Sequence, residues 1–459
     1  MLSKAIERSL KGSLGPRFTT DPSALMVYSI DAGMMEGKAL GVCFPSNVED
    51  VSRILSLCHH AGIPVYARGA GSGRTGGAVP WRPGIVLSLE RMHEIREISS
   101  RDLVARVEPG VVTGRLHDVV SCKGLFYPPD PASLSFCTIG GNVATCAGGP
   151  RAVKYGVTRD YVLGLEVVTA EGEVLNLGGR TVKSSSGYAL ERLMCGSEGT
   201  LAVFTEITLR LIPSPPCVGV MVACFKAPDD AANAVLDIFS MGITPRTCEF
   251  MDGTCSRLVL EGAGLPGCDG GAVGAMLLLE SDGNSQGVVR DELKSMGDAC
   301  MKNNAIYTRI AERGEEGPIW ALRRTLSQRV RGLGYPDKVS EDIVVPRGKI
   351  PEMVTALQDI ERRVGVKILC FGHMGDGNLH VNCLCDLQKE RVNVETAIHE
   401  IFRHTLKLNG RVSGEHGVGM TKSRYLTWEL NPATYRLMRS IKDLMDPGGI
   451  LNPGKVFEQ

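Results

Sequence analysis

The pattern of apolar and polar positions changes character twice along the chain. "SNVEDVSRILSLCHHAG" opens on a Ser/Asn cap, and Val48, Val51, Ile54, Leu55 and Cys58 recur at helical spacing. "IPVYARGAGSG" reads as a strand running into a glycine loop, "GIVLSLE" and "LVARVEPGV" as strands, and "TGRLHDVVSCKG" as a helix. After a second glycine-rich region, "VLGLEVVTAEGEVLNLG" predicts a hairpin with a Glu-Gly turn, and "GTLAVFTEITLRLIP" a further strand pair. Pro213, Pro215 and Pro216 then punctuate the chain. Beyond them "VGVMVACF", "GAVGAMLLLE", "EDIVVP" and "VKILCFG" read as strands. "DDAANAVLDIFSMG", residues 285–303, "PIWALRRTLSQRVRGLG" and "GKIPEMVTALQDIERRVG" read as helices. This mixed order predicts a separate α+β domain with antiparallel sheet. A last helical segment ends in the turn chemistry of "MDPGGILNPGK".

Length and composition narrow the class. At 459 residues the chain exceeds one core and suggests about three domain-sized units. The expected divisions are 1–215, 216–410 and 411–459. Lys plus Arg equals Asp plus Glu at 51 each, so no bulk field favours nucleic acid or an anionic membrane. Fifteen scattered cysteines, no apolar leader in "MLSKAIERSLKG" and no long apolar run suggest a cytoplasmic protein with reduced thiols. Iron–sulfur and zinc-ribbon spacings are absent, Cys383 and Cys385 being alternate residues of a strand. The 55 glycines cluster, which points to specific backbone geometry.

Gly71-Ser-Gly73-Arg-Thr-Gly76 matches G-x-G-x-x-G behind a strand, but Pro80 and Pro83 stand where a dinucleotide-binding helix would run. A Rossmann site is therefore excluded. Two readings of the loop stay open: a phosphate cradle of backbone N–H groups beside Arg68, or a plain glycine turn. "PPDPASLSFCTIGGNVATCAGG" adds Gly140, Gly141, Gly148 and Gly149 among small residues, which suits a flat ring lying close to the backbone.

"FGHMGDGNLHVN" poses the main chemical question. His373 and His380 are an odd number apart, so one straight strand would place them on opposite faces. A turn at Met374–Asn378 would fold the chain back and let the rings meet, with His380 and Asn382 sharing a face. "SGEHGVG" supplies Glu415 and His416. Two imidazoles and a carboxylate suit a divalent ion, zinc, iron or manganese, and satisfied core histidines are the alternative. "WALRRTLSQ" offers Arg323 and Arg324, about 100° apart on a helix, so one of them faces a given site. A solvated basic face is the expectation for Arg324 and Arg329.

These stretches, with "GIPVYARGAGSGRTGGAVP", "TIGGNVATCAGGPRAVKYGVTRDYVLGLEVV" and "GSEGTLAVFTEITLRL", resemble the vanillyl-alcohol oxidase / PCMH flavoprotein superfamily. The nearest resemblance is to its D-lactate, glycolate and D-2-hydroxyglutarate dehydrogenase branch. The resemblance implies a PCMH-type FAD domain of two α+β subdomains, an α+β substrate (cap) domain, and a C-terminal segment returning to the flavin. It implies pyrophosphate contacts from Arg68, Gly69, Ala70, Gly71, Ser72, Gly73 and Gly77. Further FAD contacts are implied for Pro129, Ser133, Ile139, Gly140, Gly141, Asn142, Ala144, Gly148, Gly149, Tyr155, Glu198, Gly199, Ile207 and Asn452. The pyrophosphate loop contains no histidine for covalent attachment, so the FAD is expected to be non-covalent. Arg74 departs from the uncharged residue of close relatives.

The same resemblance implies a metal ion on His373, His380 and Glu415, His416 as base, and Arg323 as bidentate partner of the substrate carboxylate. Ser327, Lys338 and Asn382 are implied as substrate contacts. The expected reaction is oxidation of a D-2-hydroxy acid, D-lactate or glycolate, with D-2-hydroxyglutarate as the alternative. The expected electron acceptor is an electron-transferring flavoprotein, an iron–sulfur subunit or a quinone, within a homo-oligomer or hetero-complex. The implied site could be peripheral to a membrane through such a partner. Two other classes remain at this stage: a metal-dependent hydrolase with structural glycine loops, and a non-catalytic flavin-binding subunit.

Overall fold

The computed structural model describes residues 2–261, 273–312 and 314–458. The chain divides into two compact units. Met1–Gly148, Gly156–Ser214 and Glu415–Gln459 form the first, and Gly149–Tyr155 with Pro215–Gly414 the second.

In unit 1, β1 (Phe18–Thr19), β2 (Ala39–Cys43), β3 (Val65–Arg68) and β4 (Gly84–Ser88) make a sheet of order β1-β2-β4-β3, parallel except at β1. The helix Val48–Ala61 packs on it for the reason its spacing predicts. Val51, Ile54, Leu55 and Cys58 are buried, Asn47 caps the Asp50 N–H, and Gly62 ends the helix in the left-handed region. A second, antiparallel sheet contains β5 (Ile95–Ser99), β6 (Val104–Val107), β8 (Val162–Val168), β9 (Val174–Gly178) and β10 (Val203–Arg210), ordered β5-β6-β10-β8-β9. The predicted hairpin is β8–β9, with Gly172 at φ +93° in its turn. β7 (Leu125–Phe126) pairs with β11 (Ile212–Pro213). The expected strand pair in "GTLAVFTEITLRLIP" is thus one long strand, β10, followed by a two-residue strand of another sheet. Leu211 separates them, its N–H donated to Leu103 O in the register of the β6 ladder.

Unit 2 is built on a seven-stranded antiparallel sheet. Its strands are β12 (Cys217–Phe225), β13 (Thr247–Asp252), β14 (Ala275–Gly283), β15 (Ala305–Ile310), β16 (Asp337–Val344), β17 (Lys367–His373) and β18 (Asn378–Cys385). They run in the order β15-β12-β14-β13-β17-β18-β16. Residues 271–272 of the predicted strand "GAVGAMLLLE" lie outside the described residues. The helix Glu316–Arg331 lies on one face through Ile319, Leu326 and Val330, which pack with Leu369 and Phe371 of the sheet. Arg323 and Ser327 fall on this same buried stripe, while Arg324 is exposed. Arg329 is not simply solvated: its Nη1 donates to Leu258 O (2.5 Å) and Glu261 O (3.1 Å), filling carbonyls at the end of the helix Gly253–Leu260.

The two units realise the α+β class expected from the alternation of patterns, with antiparallel sheet dominating the second half. The C-terminal segment belongs to unit 1. Leu451 bridges to Val65 in parallel, so the tail extends the edge of the β3 sheet. The tail is clipped by Asp446, which accepts the Ile450 and Leu451 N–H groups and the Lys442 ammonium. Lys442 also donates to Thr200 O (2.7 Å) and Leu451 O (2.9 Å). Removing one member of so buried a pair leaves a desolvated charge behind. Asp446→Ala should therefore destabilise unit 1 by about 3 kcal/mol, read as a lower urea midpoint for its transition. An unchanged midpoint would show that the backbone holds the tail without the clip.

Candidate active site

In unit 1 the loop after β3 runs from 69 to 83 without helix, as the prolines require. Arg68 is 8% exposed and donates from Nη1 to Ile30 O at 2.7 Å. Gly71 has φ +68°, and a Cβ there would collide with the Arg68 guanidinium. The sequence reading missed the residue that fixes this loop. Asp31 is buried and accepts Gly76 N–H at 2.8 Å and Gly33 N–H at 2.9 Å. Burial raises its carboxyl above the usual range, and the backbone donors only partly offset this. A Cβ at Gly73 would meet nothing within 4 Å, and at Gly77 only the Glu198 carboxylate at 3.9 Å. Bare backbone thus faces open space, as a pyrophosphate cradle needs.

The second glycine region contains a short helix, Ile139–Thr145, capped by Thr138. Two glycines at its start hid it from propensity, and they are there for contact: a Cβ at Gly140 would meet Pro109 at 2.6 Å. Asn142 is buried and donates to Thr113 Oγ1. Pro129 O accepts from the His117 ring at 2.9 Å, and Ser133 O accepts the Phe136 and Cys137 N–H groups. Ile207 is fully buried on β10. The side chain of Glu198 is turned onto Val418 N–H (2.7 Å) and Gly419 N–H (2.8 Å), while Asn452 donates to Gly77 O and Glu198 O. These bonds weave the C-terminal segment into the glycine loop. Thr75 adds two more, donating from Oγ1 to His416 O and accepting Met420 N–H. Glu415 Oε2 lies 2.8 Å from the Cβ position of Gly148, so that glycine leaves room for the carboxylate.

In unit 2 the register answers the parity question raised by the two histidines. β17 and β18 form a hairpin with His373 opposite Asn378 and Phe371 opposite His380. The reversal puts both histidines on one face, their rings 5.2 Å apart and nearly perpendicular. β16 completes that face, with Asp342 opposite His380 and Ser340 opposite Asn382. This pairing also resolves the register of Lys338. Its ammonium donates to Asn382 Oδ1 (3.2 Å) and to Ser327 Oγ (3.3 Å) of the overlying helix. Ser327, Lys338 and Asn382 are therefore gathered together. Tyr155 instead bonds Asp282 through its hydroxyl, beside Lys154 and Arg246.

Two carboxylates that the sequence reading passed over organise this face. Glu249 on β13 is fully buried opposite His373. It holds His373 Nδ1 at 2.5 Å and Arg323 Nη2 at 2.6 Å. Burial works to raise its carboxyl, but His373 and Arg323 outweigh burial and leave it below the usual range. Asp342 accepts Asn378 Nδ2 (2.7 Å) and Gly414 N–H (2.9 Å), and lies 3.7 Å from His380 Nδ1. An acid inside an apolar strand is the only sequence signal for either. Arg323 is also stacked over Phe371, and its buried Nε has no hydrogen-bond partner among the described residues. A buried donor left open in this way is suited to an anion.

Comparison with known proteins fits both halves. Residues 39–178 match the FAD binding domain family, and residues 214–456 match the FAD linked oxidases, C-terminal domain. The chain is 40% identical over 463 residues to the glycolate oxidase subunit GlcD of Bacillus subtilis (strain 168), covering 100% of this chain and 97% of that one. It is 36% identical over 425 residues to the D-lactate dehydrogenase of Anaerostipes hadrus, covering 90% and 88%. Among solved structures, p-cresol methylhydroxylase with substrate bound shares the fold, with TM-score 0.80, 19% identity, and coverage of 100% and 98%. The chain therefore belongs to the FAD-linked oxidases and is an FAD-dependent oxidoreductase of the 2-hydroxy-acid dehydrogenase type.

Proposed function

We propose that the protein oxidises a small D-2-hydroxy acid, D-lactate or glycolate, to the 2-oxo acid, using non-covalent FAD and one divalent metal ion. The observation that carries this reading is the sheet face of unit 2, where His373, His380, Arg323, Ser327, Lys338 and Asn382 are gathered around two buried carboxylates. Two imidazoles and the Glu415 carboxylate are a donor set that zinc, iron or manganese accepts. His373 donates Nδ1–H to Glu249, a bond that fixes the ring and would turn its other nitrogen towards a metal ion. Gly414, bonded to Asp342, directs the chain into Glu415. The open glycine backbone of unit 1 fits the FAD pyrophosphate, and the sequence "RGAGSGRTGG" offers no histidine for a covalent link.

A metal ion held by His373, His380 and Glu415 would supply Lewis acidity towards the substrate hydroxyl, and FAD held by the glycine loops would supply a hydride acceptor. The chain supplies the rest. Arg323 is already oriented by Glu249 and offers its unpartnered Nε to the substrate carboxylate, with the Lys338 ammonium and Ser327 hydroxyl adding charge and a donor. His416 takes the hydroxyl proton. Its backbone is tied to Thr75 of the glycine loop, which positions the base from the flavin-binding side.

The family assignment argues against the metal-hydrolase alternative. Electrons would leave to an iron–sulfur subunit, an electron-transferring flavoprotein or a quinone. No helix among the described residues is long and apolar enough to cross a membrane.

Three measurements test the reading. His416→Ala should slow anaerobic flavin reduction by D-lactate or glycolate by about 10²- to 10⁴-fold while FAD stays bound; an undiminished rate would remove His416 from the chemistry. Arg323→Met should raise KM for either acid by about 10- to 100-fold, the loss of a charge-assisted hydrogen bond; an unchanged KM would place the carboxylate elsewhere. Chelation should abolish substrate-driven bleaching of the flavin without releasing it, with recovery on adding back zinc, manganese or iron. Full activity after verified metal removal would refute the metal role.

A further inference from the structure

Most thiols of this chain are inert by burial. Removal from water pushes up Cys43, Cys58, Cys248, Cys255, Cys300, Cys370, Cys383 and Cys385, which disfavours the thiolate. Cys146 differs in position and surroundings. It is only partly buried, and it ends the helix Ile139–Thr145 as a left-handed cap at φ +53°, a conformation uncommon for residues other than glycine and asparagine. The turn Cys195–Glu198 is laid against that same helix end. Gly196 N–H donates to Val143 O at 2.9 Å and Glu198 N–H to Ala144 O at 2.8 Å. This register lays Cys195, the residue before Gly196, beside the helix end that carries Cys146. The Cβ position of Gly196 lies 3.5 Å from Cys146 Cβ. The Arg159 guanidinium flanks the turn, 3.4 Å from Cys195 O.

We propose that Cys146 and Cys195 form a peroxide-responsive dithiol in which Cys146 attacks, Cys195 resolves, and the pair closes to a disulfide. The electrostatics agree with the geometry. The neighbouring Cys195 thiol and the charge of Arg159 pull the Cys146 thiol below its ordinary range against burial and Asp160, while Cys146 and burial push Cys195 up. A partly accessible thiolate beside a cation, with a second thiol at hand, is the arrangement of redox-responsive cysteines. In the first step the Cys146 sulfur attacks hydrogen peroxide. An S–O bond forms, the O–O bond breaks, and hydroxide leaves to take up a proton as water. In the second step the Cys195 sulfur attacks Cys146. The S–S bond forms, the S–O bond breaks, and a second water leaves with the Cys195 proton. Two thiols and one peroxide thus give one disulfide and two waters. The bond would fasten the helix carrying Gly140, Gly141 and Asn142 to the turn carrying Glu198 and Gly199.

The test uses FAD-loaded full-length protein, freed of reductant and treated with a few equivalents of hydrogen peroxide. Non-reducing peptide mapping should give one linked peptide pair, Cys146 to Cys195, lighter by two hydrogens and reversed by dithiothreitol. Cys195→Ser should leave a sulfenic acid on Cys146 that dimedone traps, and Cys146→Ser should leave Cys195 unmodified. Treated wild-type protein with both thiols still free, or with Cys195 modified in the Cys146→Ser variant, would overturn the proposal. An independent readout needs no variant. In competitive alkylation of the wild type near pH 6, Cys146 should react at least about fivefold faster than the exposed Cys122, because thiolate fraction outweighs the lower nucleophilicity of a low-pKa thiol. A smaller ratio would count against an activated Cys146.

Discussion

A single buried carboxylate, Glu249, sets the geometry on which the proposed chemistry of unit 2 depends. It sits on a central strand with no exposed surface, and it bonds an imidazole opposite it and a guanidinium above it. Burying a bare carboxylate is far costlier than any one hydrogen bond could offset, so the site is stable only with both partners in place. The converse holds for Arg323, which lies on the apolar stripe of its helix and would be strongly destabilising there without a counter-charge. Each group therefore fixes the others. The carboxylate takes Nη2 of the guanidinium and leaves Nε without a partner among the described residues, and it holds Nδ1 of His373.

The antiparallel register translates that local constraint into a surface. Glu249 pairs with His373, Phe371 with His380, and His380 with Asp342. Those pairings place alternate residues of β13, β17, β18 and β16 on one side of the sheet. A shift of one residue at any of the three ladders would turn an entire strand's polar set towards the opposite core. Apolar partners such as Leu369 and Leu326, packed around the polar groups, hold the register against such a slip. Hydrophobic packing thus specifies where the charges lie, and the charges specify which ligand the face can take.

Much of this was legible in the sequence, for reasons that differ by feature. Val51, Ile54, Leu55 and Cys58 declare their helix because each lies on one stripe, and Asn47 and Gly62 mark its ends. His373 and His380 could be joined because glycines and an aspartate between them demand a turn, and a turn restores the shared face. Lys338 could not be placed, since its orientation depends on which residue of β18 it opposes. Glu249, Asp342 and Asp31 were passed over because an acid flanked by apolar residues looks the same in sequence whether it meets a cation, a backbone turn or water. The helix Ile139–Thr145 was hidden by its two glycines, of which Gly140 lets it approach Pro109. Arg329 shows the opposite error: a basic residue on an apparently solvated face turned out to close another helix.

The buried acids also show why the kind of partner, and not burial alone, decides what a carboxylate does. Asp31 and Glu198 in unit 1 are satisfied chiefly by backbone N–H groups, and burial wins, raising both above the ordinary carboxylate range. Asp252 in unit 2 behaves the same way, bonded to the Cys255 and Cys370 N–H groups. Glu249 is equally buried, yet it is lowered, because the His373 imidazole and the Arg323 guanidinium together outweigh burial, where backbone amides contribute only dipoles. The consequences for folding have opposite sign. A raised carboxyl binds its proton more tightly in the folded chain, so its contribution weakens as pH rises through the folded value. A lowered one contributes above its unfolded value and is lost as pH falls through the folded value. The first kind is found where backbone donors hold a loop. The second kind is held charged by its own cations, and it is found where a guanidinium and an imidazole meet on one carboxylate.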